Sequence, residues 1–207
     1  MKIKHDVPQI LQNPELPNGC EITSLCQLLH YYGSPADKCD LADNYLPQSQ
    51  FWYGADPDLV YLGNPRLDDN TPETGYYCFA GPVIQAADRY LEEHGSSLRA
   101  KDLTGACQED LVRTLQEGHP FIFWATLRFG DIQYDPAEAW TLPDGRIHKP
   151  LYTLHCMVCC GIDEDSFLIT DPLDLNTKVE CSQFMKIFKQ LGSRAVILEP
   201  RDPGVFV

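Results

Sequence analysis

One stretch limits the fold more than any other: Leu151-Tyr-Thr-Leu-His-Cys-Met-Val-Cys-Cys160, then Gly161-Ile-Asp-Glu-Asp165, then Ser166-Phe-Leu-Ile-Thr170. Two apolar, β-branched runs flank a short polar turn, which is the signature of a β-hairpin. Both runs are apolar on nearly every residue, so both faces of the pair must be covered by other elements. The covering elements have to be helices or further strands drawn from elsewhere in the chain.

Those elements are legible on either side of the hairpin. A short strand is expected from Ile3 to Leu11, interrupted by Pro8. After the turn signals Pro14, Pro17, Asn18 and Gly19, a helix runs from about 20 to 32. Ile22, Leu25, Leu28, Leu29 and Tyr32 form its inner face, and Gly33 stops it. Asn18 is the expected N-cap, answered by Glu21 in a capping box. A second helix starts at Pro82 and ends at His94 before Gly95. A third spans about 107–117, capped near Thr104, and Pro120–Leu127 is a buried strand. Ser182 opens a last helix with Phe184, Ile187, Phe188 and Leu191 inward, and Arg194–Glu199 closes the chain as a strand. Helices come first and strands later, with pairing by hairpin, so the class is α+β. The 207 residues make one domain, 1–207. Residues 34–81 interrupt the pattern with irregular prolines, glycines and many aromatics. That segment is too apolar for disorder and is expected as either a lid over a cleft or a packed irregular lobe.

Charge excludes some functions. Sixteen Lys and Arg face 30 Asp and Glu, a net charge of −14. No basic footprint for nucleic acid and no polybasic membrane patch is present, and no run approaches the ~18 apolar residues of a spanning helix. Nine cysteines, an odd number with several in apolar runs, point to reduced thiols. With no signal-like segment behind Met1-Lys-Ile-Lys-His, a cytoplasmic location is expected. The alternative is an exported protein whose leader is absent from this sequence.

Two places carry chemistry. Cys20 sits where a turn enters a helix, among unpaired backbone N–H groups at the positive end of the helix dipole, which favours thiolate. Glu21 opposes that effect. Cys20 can equally be a small buried residue. His155 is the one histidine of six inside a strongly apolar strand, and a buried imidazole needs a partner. With the hairpin turn centred on Asp163, residue 155 falls opposite residue 171, which is Asp, on the same face. A His–Asp pair there either orients a catalytic base or simply ties the hairpin together. Cys156-x-x-Cys159-Cys160 suggests a metal, but residues three apart on a strand point to opposite faces. No metal and no other cofactor is expected.

Taken together, Cys20, His155 and Asp171 resemble a cysteine-nucleophile triad, and Gln12 on the turn-rich loop could supply a side-chain amide to an oxyanion. The Cys-to-His gap is 135 residues, within the ~130–150 used by papain-like enzymes. Gln12, Leu16-Pro-Asn-Gly-Cys20-Glu-Ile-Thr-Ser-Leu25, Leu28-Leu-His-Tyr-Tyr-Gly33, Gly118-His-Pro120, His155-Cys-Met-Val158, Thr170-Asp-Pro172 and Leu191-Gly-Ser-Arg-Ala-Val-Ile197 resemble the C39-like cysteine peptidases, a branch of the papain-like fold. The resemblance covers nearly the whole chain. It implies a nucleophile helix packed on a C-terminal antiparallel sheet. It also implies Cys20 as nucleophile, His155 as base and acid, Asp171 as orienter and Gln12 as oxyanion donor. The substrate would be a peptide or amide, cleaved through a thioester. Amidase or acyl-transfer chemistry on the same triad, or a non-catalytic peptide-binding module, are the competing expectations.

Overall fold

The computed structural model describes residues 1–201 other than 70, 72 and 136. In chain order the main elements are β1 (Lys2–Lys4), α1 (Cys20–Tyr31), α2 (Ala80–Glu93), β2 (Leu98–Asp102), α3 (Gln108–Gln116), β3 (Phe121–Thr126), β4 (Leu154–Asp163), β5 (Ser166–Thr170), β6 (Thr177–Glu180), α4 (Cys181–Gln190) and β7 (Ala195–Pro200). Seven strands form one antiparallel sheet in the order β6-β5-β4-β3-β7-β2. β1 joins it on β4, pairing with residues 161–163 beyond the point where β3 stops. The architecture is the expected α+β one.

β4 is the centre of this sheet. Every residue from His155 to Ile162 is buried, which is why the sequence there is apolar without alternation. α4 covers one face: Phe184 lies 4.7 Å from Phe123 and 4.5 Å from Phe167, centroid to centroid, in tilted contacts. α1 covers the other face of β4, where Ser24 Oγ donates to the Cys156 carbonyl at 3.2 Å. α1 is buried from Cys20 through Leu29, polar residues included. The sequence suggests a helix with one inner stripe. The difference arises because α2 and residues 38–45 pack on the side of α1 away from the sheet.

The hairpin differs from its sequence-based reading in a way that matters for the site. β4 runs on through Gly161, Ile162 and Asp163, and the turn is only Glu164-Asp165, with Asp163 paired to Ser166. Continued unbroken, that register would set residue 171 opposite 158, on the face away from 155. A β-bulge between Cys159 and Gly161 absorbs one residue, so that Cys159 pairs with Ile169 and Val158 with Thr170. The next positions then fall 157 opposite 171. Asp171 is therefore a diagonal neighbour of His155 on the same face, not its direct partner, and diagonal neighbours remain within side-chain reach.

Other boundaries shift for local reasons. The first strand is limited to Lys2–Lys4. Gly19, not Asn18, precedes α1, with no side-chain cap. Asn18 instead donates its amide to the Leu67 carbonyl at 2.8 Å, and Glu21 turns inward. α2 begins at Ala80, two residues before Pro82. At α3 the Asp110 carboxylate accepts the Cys107 backbone N–H at 3.1 Å, so the cap lies there and not at Thr104. β2 and β6 are short, mostly polar edge strands with only one or two inward apolar residues each to mark them.

Candidate active site

α1 starts at the sulfur-bearing residue itself, and four hydrogen bonds fix the loop before it. The Gln12 N–H donates to the Pro172 carbonyl at 2.9 Å, joining this loop to the turn after β5. Lys38 Nζ donates to the Gln12 carbonyl at 3.0 Å. From the 34–81 segment, the Tyr61 hydroxyl donates to the Asn18 carbonyl at 2.5 Å and the Asn18 N–H to the Pro65 carbonyl at 3.2 Å. Of the two expectations for 34–81, these contacts fit a packed lobe, and the lobe grips the loop that leads into Cys20.

His155 and Asp171 meet inside the protein. His155 Nε2 lies 2.8 Å from Asp171 Oδ1, and both side chains are nearly free of solvent. The same Oδ1 accepts the Leu173 N–H at 2.7 Å. Around Asp171 a small network fixes the backbone: its N–H donates to Asn176 Oδ1 at 2.6 Å, Gln9 Nε2 donates to its carbonyl at 2.7 Å, and Asn176 Nδ2 donates to Gln9 Oε1 at 2.7 Å. Because Nε2 is taken by Asp171, Nδ1 is the ring nitrogen left for another partner. The other five histidines have local structural partners: Leu115 O for His5, Ala36 O for His30, Tyr90 O for His94, Tyr32 OH for His119 and Tyr77 OH for His148.

Cys20 is 8% exposed, and its sulfur lies against the backbone N–H of Cys156, the residue that follows His155. Its hydrogen bond, however, goes to Glu21 Oε2 at 3.3 Å. Among the described residues no hydrogen bond joins Cys20 to His155. Burial first, and the Glu21 charge second, push the thiol well above its ordinary range. The helix-start effect that favours a thiolate is thus outweighed by desolvation and by the Glu21 carboxylate. Gln12 is 3% exposed. Its Nε2 donates to the Pro17 carbonyl at 2.5 Å and keeps a second N–H, while its buried Oε1 has no partner.

Glu21, Gln9 and Asn176 complete this constellation; the sequence points to Glu21 as the charge opposing a Cys20 thiolate, and to neither of the other two. Glu21 reads there as a capping residue, and no spacing rule links Gln9 or Asn176 to residue 171. A cavity of about 770 Å³ opens beside Asp171, lined by Met157, Asn176, Lys178 and Gln183 but not by Cys20, His155 or Gln12. Cys156 and Cys159 diverge as a strand requires, Cys156 toward Ser24 and Glu21 on the α1 side, Cys159 toward Cys181 on the α4 side. All nine cysteines are free.

The profile of the Peptidase_C39 like family matches residues 4–196. The chain belongs to that family. A solved Bacillus anthracis protein, described as a putative C39-like peptidase, superposes with a TM-score of 0.84 at 31% identity, covering 98% of this chain and 99% of that one. The uncharacterized protein YvpB of Bacillus subtilis strain 168 is 30% identical over 191 residues, which is 90% of this chain and 71% of YvpB. A double-glycine-motif protease from an AMS/PCAT transporter, solved with its leader peptide, shares the fold at a TM-score of 0.50 and 17% identity. The fold is therefore the papain-like one of the C39-like peptidases. No helix among the described residues is long and apolar enough to cross a membrane.

Proposed function

We propose that this C39-like chain is a cysteine hydrolase that cleaves a peptide or amide bond with Cys20, His155, Asp171 and Gln12. The observation that carries the reading is the buried His155 Nε2–Asp171 contact at 2.8 Å, which leaves Nδ1 as the base on a strand whose next residue touches the Cys20 sulfur. In the reaction the sulfur passes its proton to Nδ1 and attacks the carbonyl carbon. The oxyanion is held by the Cys20 N–H and the free N–H of Gln12. His155 then protonates the leaving amine, giving a thioester, and water, deprotonated by the same nitrogen, releases the acid. Asp171 keeps the ring oriented, and the Gln9–Asn176 network keeps Asp171 in place.

The test is a peptidyl electrophile that must sit in the cleft, with labelled sites mapped by mass spectrometry. Simple alkylation order does not discriminate, because Cys107 is exposed and Cys20 is buried. The expected result is labelling of Cys20 that is lost in His155→Ala and Asp171→Ala, while Cys107 labels equally in all three proteins. Labelling of Cys20 that ignores both substitutions refutes the triad. A product screen that yields amine adducts with no hydrolysis would move the chemistry to acyl transfer.

A further inference from the structure

Glu21 is a charged-type residue with no exposure at all, one position from the proposed nucleophile, and the mechanism above gives it no task. Its two oxygens are held apart. Oε1 accepts the Cys78 N–H at 3.0 Å, and Cys78 is itself fixed because its carbonyl accepts the Trp124 indole N–H at 2.8 Å. Oε2 accepts the Cys20 thiol at 3.3 Å. The carboxyl cannot follow the sulfur if the sulfur moves, since its other oxygen is tied to the backbone just before α2. A thiol that donates to Oε2 is at the same time not donating to His155.

We propose that Glu21 is a latch on the nucleophile: as a carboxylate it holds Cys20 as a hydrogen-bonded thiol, and on taking up a proton it releases the sulfur to His155. This rests on the assignment of Cys20 and His155 made above. The step is balanced without any redox partner. Glu21 gains one proton from solvent, the thiol proton moves to His155 Nδ1, and the new carboxyl O–H can donate to the sulfur anion it formerly repelled.

The surroundings single out Glu21 as the group that would respond. Facing it are Cys20 on its own helix, Cys78 ahead of α2, Tyr61 and Tyr77 of the 34–81 lobe, and Cys156 on β4. Burial raises every one of these, so each stays neutral near pH 7. Burial likewise pushes Glu21 up, to about 7. Latching therefore strengthens as pH rises through neutrality and weakens below it. Glu21 acts through Cys20, so it is a positioning residue.

The experiment is the second-order rate of iodoacetamide alkylation at Cys20, read by mass spectrometry from pH 5.5 to 9, in the wild type, Glu21→Gln and His155→Ala. Gln keeps an oxygen for the Cys78 N–H and turns an N–H toward the sulfur. The expected wild-type rate stops rising near pH 7, where a free thiol would go on. The Glu21→Gln rate is expected to keep rising and to exceed wild type at least tenfold at pH 8.5, the equivalent of one pKa unit or more at the sulfur. A Glu21→Gln profile superimposable on wild type, with His155 dependence intact, overturns the latch and leaves the triad standing. A Glu21→Gln rate that collapses with the fold intact makes Glu21 a base and overturns the latch as well. If His155→Ala alone changes nothing, it is the triad assignment that has failed. Should Glu21→Gln not fold, infrared titration of wild type against Cys20→Ala decides: a protonated carboxyl band that disappears near pH 7, at a lower pH in Cys20-containing protein than in Cys20→Ala, supports the latch, and no such band between pH 5 and 8 overturns it.

Discussion

The same buried carboxyl makes an equilibrium prediction that does not depend on any catalytic assignment. Glu21 is held at about 7 in the folded protein and returns to about 4.5 when the chain unfolds. Between those values the folded state binds the proton that the unfolded state has lost. Its contribution to stability is then complete below about 4.5 and is lost as pH rises through about 7. Evaluated between pH 5 and pH 8 at 1.36 kcal/mol per pKa unit, the loss is about 2.5 kcal/mol. Glu21→Gln removes the titration while keeping the oxygen that meets the Cys78 N–H at 3.0 Å. Relative to the wild type, the variant should gain about 2.5 kcal/mol on going from pH 5 to pH 8, or roughly 5–10 °C in Tm for a chain of this size. Urea denaturation of both proteins at the two pH values measures the difference of differences, in which every other titrating group cancels. A wild-type-minus-variant gap that is constant with pH, within about 0.5 kcal/mol, refutes the claim that Glu21 is buried as a near-neutral titrating group.

Three further outcomes follow from the geometry. Asp171→Asn should lower the His155-dependent labelling rate of Cys20 by about 10²-fold or more while the far-UV spectrum is unchanged, because an amide can still accept the Leu173 N–H but can turn its N–H toward Nε2 and so lose the tautomer that leaves Nδ1 as the acceptor; a rate within twofold of wild type counts against Asp171 as orienter. Gln12→Ala should reduce turnover of any peptide that the protein cleaves by about 10–10³-fold without changing the labelling of Cys20 by a small alkylator, since the amide acts on the oxyanion and not on the sulfur; equal losses in both assays would mean that it serves only to hold the loop through Pro17. Gly161→Ala would place a Cβ 2.2 Å from the Ile3 carbonyl oxygen, which β1 cannot yield without losing its pairing, so denaturation should show a loss above about 1 kcal/mol; unchanged stability would mean that β1 is not seated on β4 as described.

How far the site was legible depends on what each residue's signal rests on. Cys20 at a helix start was readable because proline, asparagine and glycine mark the turn and leucine spacing marks the helix. His155 stood out because an imidazole in an apolar strand has to be satisfied. Its pairing with Asp171 was reached through a turn placed at Asp163, whereas the turn is at 164–165 and a bulge at Cys160 takes up one residue. The misplaced turn and the unseen bulge offset each other and left the pair on one face. Periodicity carries no trace of a bulge, because an extra residue in a run of Cys-Cys-Gly looks like any other. Gln9 and Asn176 are invisible for a different reason: each lies more than 160 residues from one of its partners in this network, and single polar side chains have no pattern. β2, Leu-Arg-Ala-Lys-Asp, was missed because only Leu98 and Ala100 turn inward, too few apolar residues to mark so short an edge strand.

Glu21 shows why the rest could not be read locally. At the level of the helix it is a good first-turn acid, suited to the dipole and to a capping box. That role would leave it at the surface. The 34–81 lobe decides otherwise: Tyr61 and Pro65 hold Asn18, Cys78 offers its N–H to Oε1, and the lobe closes over the start of α1. A helix start that would otherwise favour a thiolate is thereby turned into one that stores a thiol. The lobe contains none of the proposed triad, yet it supplies burial that pushes Glu21 up to about 7, against the Cys78 N–H bond, which favours the carboxylate. Changes in the lobe that leave Cys20, His155 and Asp171 untouched should therefore alter the pH at which the sulfur becomes available. The irregular segment sets the surroundings of the Cys20 thiol, and the regular sheet and helix are what place it.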